Sequence, residues 1–187
     1  MNRHPYRTKL TITLALVLSA AFAIAGDIDK AFKALNTGDY ANARKYLMEV
    51  LADEPGSAPG FYGLAKYYYS KDNKAYNLDS ANMFIKEAMH KLPMNPEDKA
   101  NKKAIALGVR DYTIQTLHKD INNEAYGIAE KANTVESYQF YIDNYTEKGL
   151  VNRATEMRNQ LAFIRARAAN TYQAMDEFIK KYPEAEQ

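Results

Sequence analysis

A spaced set of small residues, aromatics and prolines recurs along this chain, and a recurrence of that kind limits the fold more than any single motif does. It appears first as ALNTGDYANARKYLMEVLADEP, Ala34 to Pro55, and again as FYGLAKYYYSKD…SANMFIKEAMHKLP, Phe61 to Pro93. A second version closes the chain. ANTVESYQFYIDNYTE, Ala132 to Glu147, is echoed by ANTYQAMDEFIKKYPE, Ala169 to Glu184, 37 residues further on. Helix pairs repeated at such a period stack into a solenoid, because one pair cannot bury its own apolar face.

The first 25 residues have the layout of a secretory signal peptide. Arg3, Arg7 and Lys9 form a basic start, Leu10 to Ile24 is an apolar run without a charge, and Ala23-Ile24-Ala25 is a small-x-small cleavage site. Cleavage after Ala25 starts the mature chain at Gly26; Ala21-Phe22-Ala23 offers a second site. A spanning helix needs about 20 apolar residues, and this run is shorter. The chain has no cysteine, which excludes a lipidated leader, thiol chemistry and any dependence on disulfides.

Cleavage also changes the charge balance. The whole chain has 25 basic and 23 acidic residues; without the three basic residues of the leader the totals are 22 and 23. A nucleic-acid or anionic-membrane protein carries a basic excess or stripe, and this chain has neither. Arg158, Arg165 and Arg167 share one helical stretch, but Glu156 stands among them and a solvated face accounts for them.

Nearly everything after Gly26 reads as helix. The first pair spans Asp27 to Asn36 and Tyr40 to Ala52 about a Thr37-Gly38-Asp39 turn. Ala43, Leu47, Val50 and Leu51 form its apolar face. The second spans Ala58 to Ser70 and Ser80 to Lys91. Its faces are Phe61, Leu64, Ala65 and Tyr68, then Ala81, Ile85, Ala88 and Met89. The run Tyr67-Tyr68-Tyr69 points three ways, so at least one ring belongs to the core. The longer connection, Lys71 to Asp79, is expected to project from the edge of the stack.

Asn95-Pro96-Glu97-Asp98 is a strong helix start, with a cap, a first-turn proline and acids at the positive end. The helix continues to about Gly108 or as far as His118, and a further one spans roughly Ile121 to Lys131; Asp120, Asn122 and Asn123 make a break plausible there, so residues 97–131 read as one bent helix or two. Asn133-Thr134 and Asn170-Thr171 are matching turn-and-cap pairs. A long helix, Leu150 to Ala168, carries Ala154, Met157, Leu161, Ile164 and Ala168 on its expected apolar face.

Ala31, Gly38-Asp39-Tyr40, Ala43 and Pro55, then Ala65, Ala81, Ala88 and Pro93, resemble the small-residue, turn and proline pattern of tetratricopeptide (TPR) repeats, with Val50 where an alanine is usual. The last two pairs look like the divergent Tyr-x-x-Phe-x-x-x-Tyr-Pro repeats of bacterial cell-envelope proteins. The resemblance implies an all-α, right-handed, TPR-like solenoid of about four helix pairs. Residues 1–25 are then the signal peptide, 26–93 hold two repeats, and 94–187 an additional helix and two divergent repeats.

In such stacks the first helix of each pair lines a concave groove that holds a peptide or partner helix. Here that stripe is Tyr62, Lys66 and Tyr69 in the second unit, with Phe32, Leu35 and Asn36 in the first. Phe32 and Leu35 have an alternative place beneath a neighbouring helix. Ile28 and Phe32 stand where some family members carry a basic and asparagine set that clamps a terminal carboxylate, so that ligand is not expected. The mature chain's histidines, His90 and His118, form no ligand-spaced pair, and no phosphate loop, HExxH or nucleophile elbow occurs. No catalysis, cofactor or metal is expected.

The resemblance therefore points to an exported protein–protein interaction module, periplasmic or secreted and in some settings outer-membrane associated. Its partners would be other envelope or secreted proteins, with no nucleic acid and no membrane span after cleavage. A spacer segment of a larger outer-membrane or peptidoglycan-associated protein is the alternative, and an enzyme with an unseen site the third reading. The last repeat has no polar capping helix after it, so end-to-end association through that end is a further expectation.

Overall fold

Gly38 adopts a φ of 75°, a left-handed conformation that favours glycine, and this reverses the chain between the first two helices. We describe a computed structural model over residues 24–92 and 99–185. The signal-peptide reading of residues 1–23 and the Asn95-Pro96 helix start lie outside the described residues. Among those residues the chain forms nine helices and no strand. They are α1 (Ile24–Thr37), α2 (Tyr40–Asp53), α3 (Ala58–Tyr69), α4 (Leu78–Lys91), α5 (Lys99–Ala106), α6 (Asp111–Ala132), α7 (Val135–Asn144), α8 (Lys148–Ala169) and α9 (Tyr172–Lys181). The Ala25–Gly26 bond falls in the first turn of α1.

Helices pack on their neighbours along the chain. α1 pairs with α2, α3 with α4, α6 with α7 and α8 with α9. Between pairs, α2 meets α3, α4 meets α6 and α7 meets α8, while α1, α3, α6 and α8 touch in that order. The seams close because small residues let helix axes approach. Ala31, Ala43, Ala65, Ala81, Ala88 and Ala154 are fully buried, beside Leu47, Ile85 and Ile121. Gly63 takes this furthest: a Cβ there would overlap the side chain of Leu47, which is itself fully buried.

The second half is a repeat in three dimensions. Every boundary of α8 and α9 lies 37 residues after its counterpart in α6 and α7. Asn133 and Asn170 end the long helices at φ 48° and 51°. Thr134 and Thr171 then cap the short ones by accepting the N–H of Ser137 and Ala174. Of the alternatives left open for residues 97–131, the break at Asp120–Asn123 does not occur. The chain turns at Gly108, the earlier of the two ends read for that helix, with a φ of 75°, and α6 runs through residues 120–123 unbroken. Asn122 is fully buried inside it and acts as a tertiary brace. Its Nδ2 donates to the His118 carbonyl at 2.8 Å, and its Oδ1 accepts the N–H of Thr146 at 3.2 Å and of Glu147 at 3.1 Å. Those two N–H groups lead into α8, whose first turn is capped by the Glu147 carboxylate.

Three other expectations change. The α8 face is rotated: Ala154, Arg158, Asn159, Ala162 and Ala166 are buried, while Ile164 is 54 % exposed and Ala168 is exposed. The helix is gripped from two sides, by α7 and by α6 with α9, so no single stripe describes it. Met89, expected on the inner face of α4, is 42 % exposed. The connection after α3 does not project: Asn73 is buried and its Nδ2 donates to the Tyr67 carbonyl at 2.8 Å, while Asn77 N–H donates to the Tyr68 carbonyl at 2.9 Å. Of the three tyrosines, Tyr67 is the core ring, packed edge-on to Tyr68.

Two glycines should respond in opposite directions. Gly63→Ala forces Leu47 out of its place and should lower stability by about 1–3 kcal/mol. Gly127, exposed on α6 with nothing near a Cβ, should gain about 0.5–1 kcal/mol as Gly127→Ala through helix propensity alone. Urea unfolding of both variants checks this. In the same assay Asn122→Ala, which strands two part-buried N–H groups, should cost about 2–4 kcal/mol.

Candidate functional site

The helices α1, α3 and α6 share one side of the molecule, and their residues meet there. Tyr62, Lys66 and Tyr69 of α3 are all half-buried. The ring of Phe32 in α1 stacks on Tyr62, with centroids 6.3 Å apart and planes 20° from parallel. At the other end the Lys71 ammonium lies 5.7 Å from the Tyr69 ring centroid and 4.5 Å from that of Tyr76. Lys71 also pairs with Glu124 of α6, which accepts a hydrogen bond from the Tyr76 hydroxyl. The result is an aromatic face crossed by charges, bounded on one side by α1 and on the other by α6.

Phe32 and Leu35 are each only 9 % exposed and belong to the core, the alternative placement the sequence allows. Phe32 supports the face from beneath through its contact with Tyr62. Asn36 is exposed at the end of α1. Sequence reasoning missed the α6 wall. Tyr112, 63 % exposed, and Thr113 stand near Tyr62, and Asp120 stands near Tyr69. The signal that could have found them is the 37-residue offset between α6 and α8.

Burial sets the electrostatics of this face. It lowers the Lys66 ammonium from the usual lysine value, since desolvation disfavours the charged form, and no ion pair or hydrogen bond to that ammonium is present among the described residues. It raises the Tyr62 hydroxyl, with the Thr113 hydroxyl pulling the other way, and raises Tyr69, to which the Asp120 charge adds. His118 of α6, outside this face, is held below the usual histidine value by burial first and the Lys86 charge second.

A second feature went unseen in the sequence. Leu78, Asp79, Ala125, Ile128, Phe140 and Tyr145 line a groove of about 260 Å³ between the start of α4, α6 and α7. Its equivalent one repeat on, lined by Val135, Glu136, Ala162, Arg165, Glu177 and Tyr182, holds about 350 Å³. In the first groove Ile128 is 59 % and Phe140 52 % exposed; in the second, Arg165 and Glu177 take their places, and Arg165 pairs with Glu136. Behind the first groove Tyr145 donates to Asp79 Oδ1 at 2.6 Å, while the buried Tyr141 hydroxyl has no partner among the described residues.

Among the described residues no group of three or more His, Cys, Asp or Glu side chains is arranged to hold a metal ion, and no helix is long and apolar enough to cross a membrane. No protein-family model matches this chain, and neither does any curated protein or solved structure.

The orphaned hydroxyl gives a measurable effect. Burial raises Tyr141 well above the usual tyrosine value, so its stabilising contribution is intact below the unfolded value of about 10 and is lost as pH rises past it. Tyr141→Phe removes both the unpaired hydroxyl and this titration, and Phe178 holds the equivalent place one repeat on. The variant should gain about 1 kcal/mol at pH 7. Above pH 10 its stability should fall less steeply than the parent's, by about 1.4 kcal/mol per pH unit. Denaturant titrations from pH 7 to 11 test both statements.

Proposed function

We infer that this chain is an exported TPR-like protein that binds a segment of another protein on the α1–α3–α6 face. The pairs α1/α2, α3/α4, α6/α7 and α8/α9 would form a right-handed solenoid, with α5 an insertion between the second and third units. The nearest-neighbour packing and the 37-residue displacement of α6/α7 onto α8/α9 support this reading. The basic, apolar and small-residue order of residues 1–25 supports export to the periplasm or beyond, with partners among envelope or secreted proteins.

Lys66 carries the functional reading. A half-buried ammonium costs solvation, and it is held between two half-buried tyrosines without a counter-ion among the described residues. A partner segment that places a carboxylate on Lys66 and apolar side chains on Tyr62 and Tyr69 would supply what the face lacks. A spacer gains nothing from such a residue.

If the face is a binding site, Lys66→Met should raise stability by about 0.5 kcal/mol while abolishing capture, the opposition expected of a functional residue. A photo-crosslinking residue at Tyr69, exposed in living cells, should give one dominant adduct that Lys66→Met removes. An adduct unchanged by Lys66→Met, or no adduct from Tyr69, would sink the face as a binding site.

A further inference from the structure

The two grooves of the second half lie in equivalent places, each between the start of a short helix and the pair that follows it. The inner groove is bounded by α4, α6 and α7, and the outer one by α7, α8 and α9. Leu78 and Val135 open α4 and α7, and an acid follows each of them, Asp79 and Glu136. Both acids line their grooves. Ala125, Ala129 and Tyr145 of the inner groove recur 37 residues on as Ala162, Ala166 and Tyr182. The grooves therefore share a floor and an acidic edge.

They differ in what answers the acid. In the outer groove the Arg165 guanidinium donates to both carboxylate oxygens of Glu136, at 2.9 and 3.4 Å. In the inner groove that position is Ile128, and Phe140 stands where the outer groove has Glu177. Asp79 Oδ1 accepts from the Tyr145 hydroxyl, while its Oδ2 meets no group among the described residues. The Ser137 hydroxyl, also in the lining, is already taken by the Ala129 carbonyl at 3.0 Å. The inner groove is thus an apolar trough that ends on a half-used carboxylate, at the point where its repeat supplies a cation.

We propose that the inner groove binds a small amphipathic cation, an aryl or alkyl body ending in a guanidinium or a primary ammonium. The cation takes the part that Arg165 plays one repeat on and meets Asp79 Oδ2 as a charge-assisted donor. The apolar body covers Ile128 and Phe140, both more than half exposed, and the Phe140 ring adds the attraction of an aromatic face for positive charge. The volume of about 260 Å³ is below the roughly 300–1,000 Å³ of pockets for drug-sized ligands, so one ring or one branched chain fills it. An anion would meet the Asp79 charge, and a neutral apolar molecule would leave that carboxylate unmet. This site is separate from the Lys66 face and does not rest on it.

The probe is phenylbutylguanidine, titrated into the full chain and followed by amide chemical shifts. Saturable shifts should centre on α6 and α7 around Ile128 and Phe140. Phenylbutanol should bind about threefold or more weakly, and phenylbutyrate should not saturate. Asp79→Asn, which keeps an acceptor for Tyr145, should weaken the guanidine to the level of the alcohol. Ile128→Arg copies the outer groove at an exposed position and should abolish binding. Arg165→Ile with Glu177→Phe should open the outer groove and add a second set of saturable shifts. Lys66→Met should change nothing. The proposal is overturned by equal binding of the guanidine and the alcohol, by binding indifferent to Ile128→Arg, or by no second set of shifts in the double variant. A dimer in sedimentation that Ile128→Arg dissolves also overturns it, since the groove then belongs to a second copy. So does at least tenfold tighter binding of the dipeptide acetyl-Phe-Arg-amide, since the occupant is then the arginine of a protein segment.

Discussion

A helix pair in this molecule cannot bury its apolar surface alone, and every other feature follows from that. α3 meets α2 on one side and α4 on the other, and α6 does the same between α4 and α7. Each seam is stabilised by dispersion and by apolar area withdrawn from water, both of which depend on how closely the axes approach. That is why the fully buried set is so rich in alanine, and why Gly63 faces Leu47. Small residues set the spacing; Leu47, Leu64, Ile85, Ile114 and Ile121 fill what remains.

The features legible in the sequence were those with local causes. Gly38, Asn133 and Asn170 reverse the chain because their own backbone tolerates positive φ, and Thr134 and Thr171 cap because their own hydroxyls reach the next turn. What stayed hidden had distant causes. Asn122 and Asn123 look like helix breakers, but Asn122 spends its amide on the His118 carbonyl and on two N–H groups 24 and 25 residues away. Local propensity cannot register a partner that arrives from a distant connection of the chain. With that residue's role hidden, residues 97–131 stayed open between one helix and two, and α6 went unseen as the equivalent of α8, with the wall that Tyr112 and Asp120 bring to the Tyr62–Lys66–Tyr69 face. Arg158 hid the α8 face for the same reason: a charge reads as surface until Glu184, Gln139 and Asn159 are seen to surround it.

The two units of the second half show how one framework diverges without changing shape. Their helices begin and end in register, yet Ile128 and Phe140 become Arg165 and Glu177, and Ile121 becomes Arg158. The inner unit is closed by apolar packing and by backbone N–H groups held on Asn122. The outer unit is held by a side-chain network in which the Arg158 guanidinium also lies 4.8 Å from the Tyr182 ring centroid. A buried arginine is costly unless its donors are met, and here Glu184, Gln139 and Asn159 meet them. Removing Glu184 alone should therefore harm the last pair more than its exposure suggests, because it would leave the cation buried.

Stacking also divides the surface into parts of different kinds. Along the side shared by α1, α3 and α6 the chain keeps tyrosines and a lysine without a counter-ion among the described residues. Beside α8 and α9 the charges are answered from within: Arg158 is met by Glu184, Gln139 and Asn159, and Arg165 pairs with Glu136. The desolvation of a charge that no neighbour offsets therefore falls on α3, at Lys66, and not on the last pair.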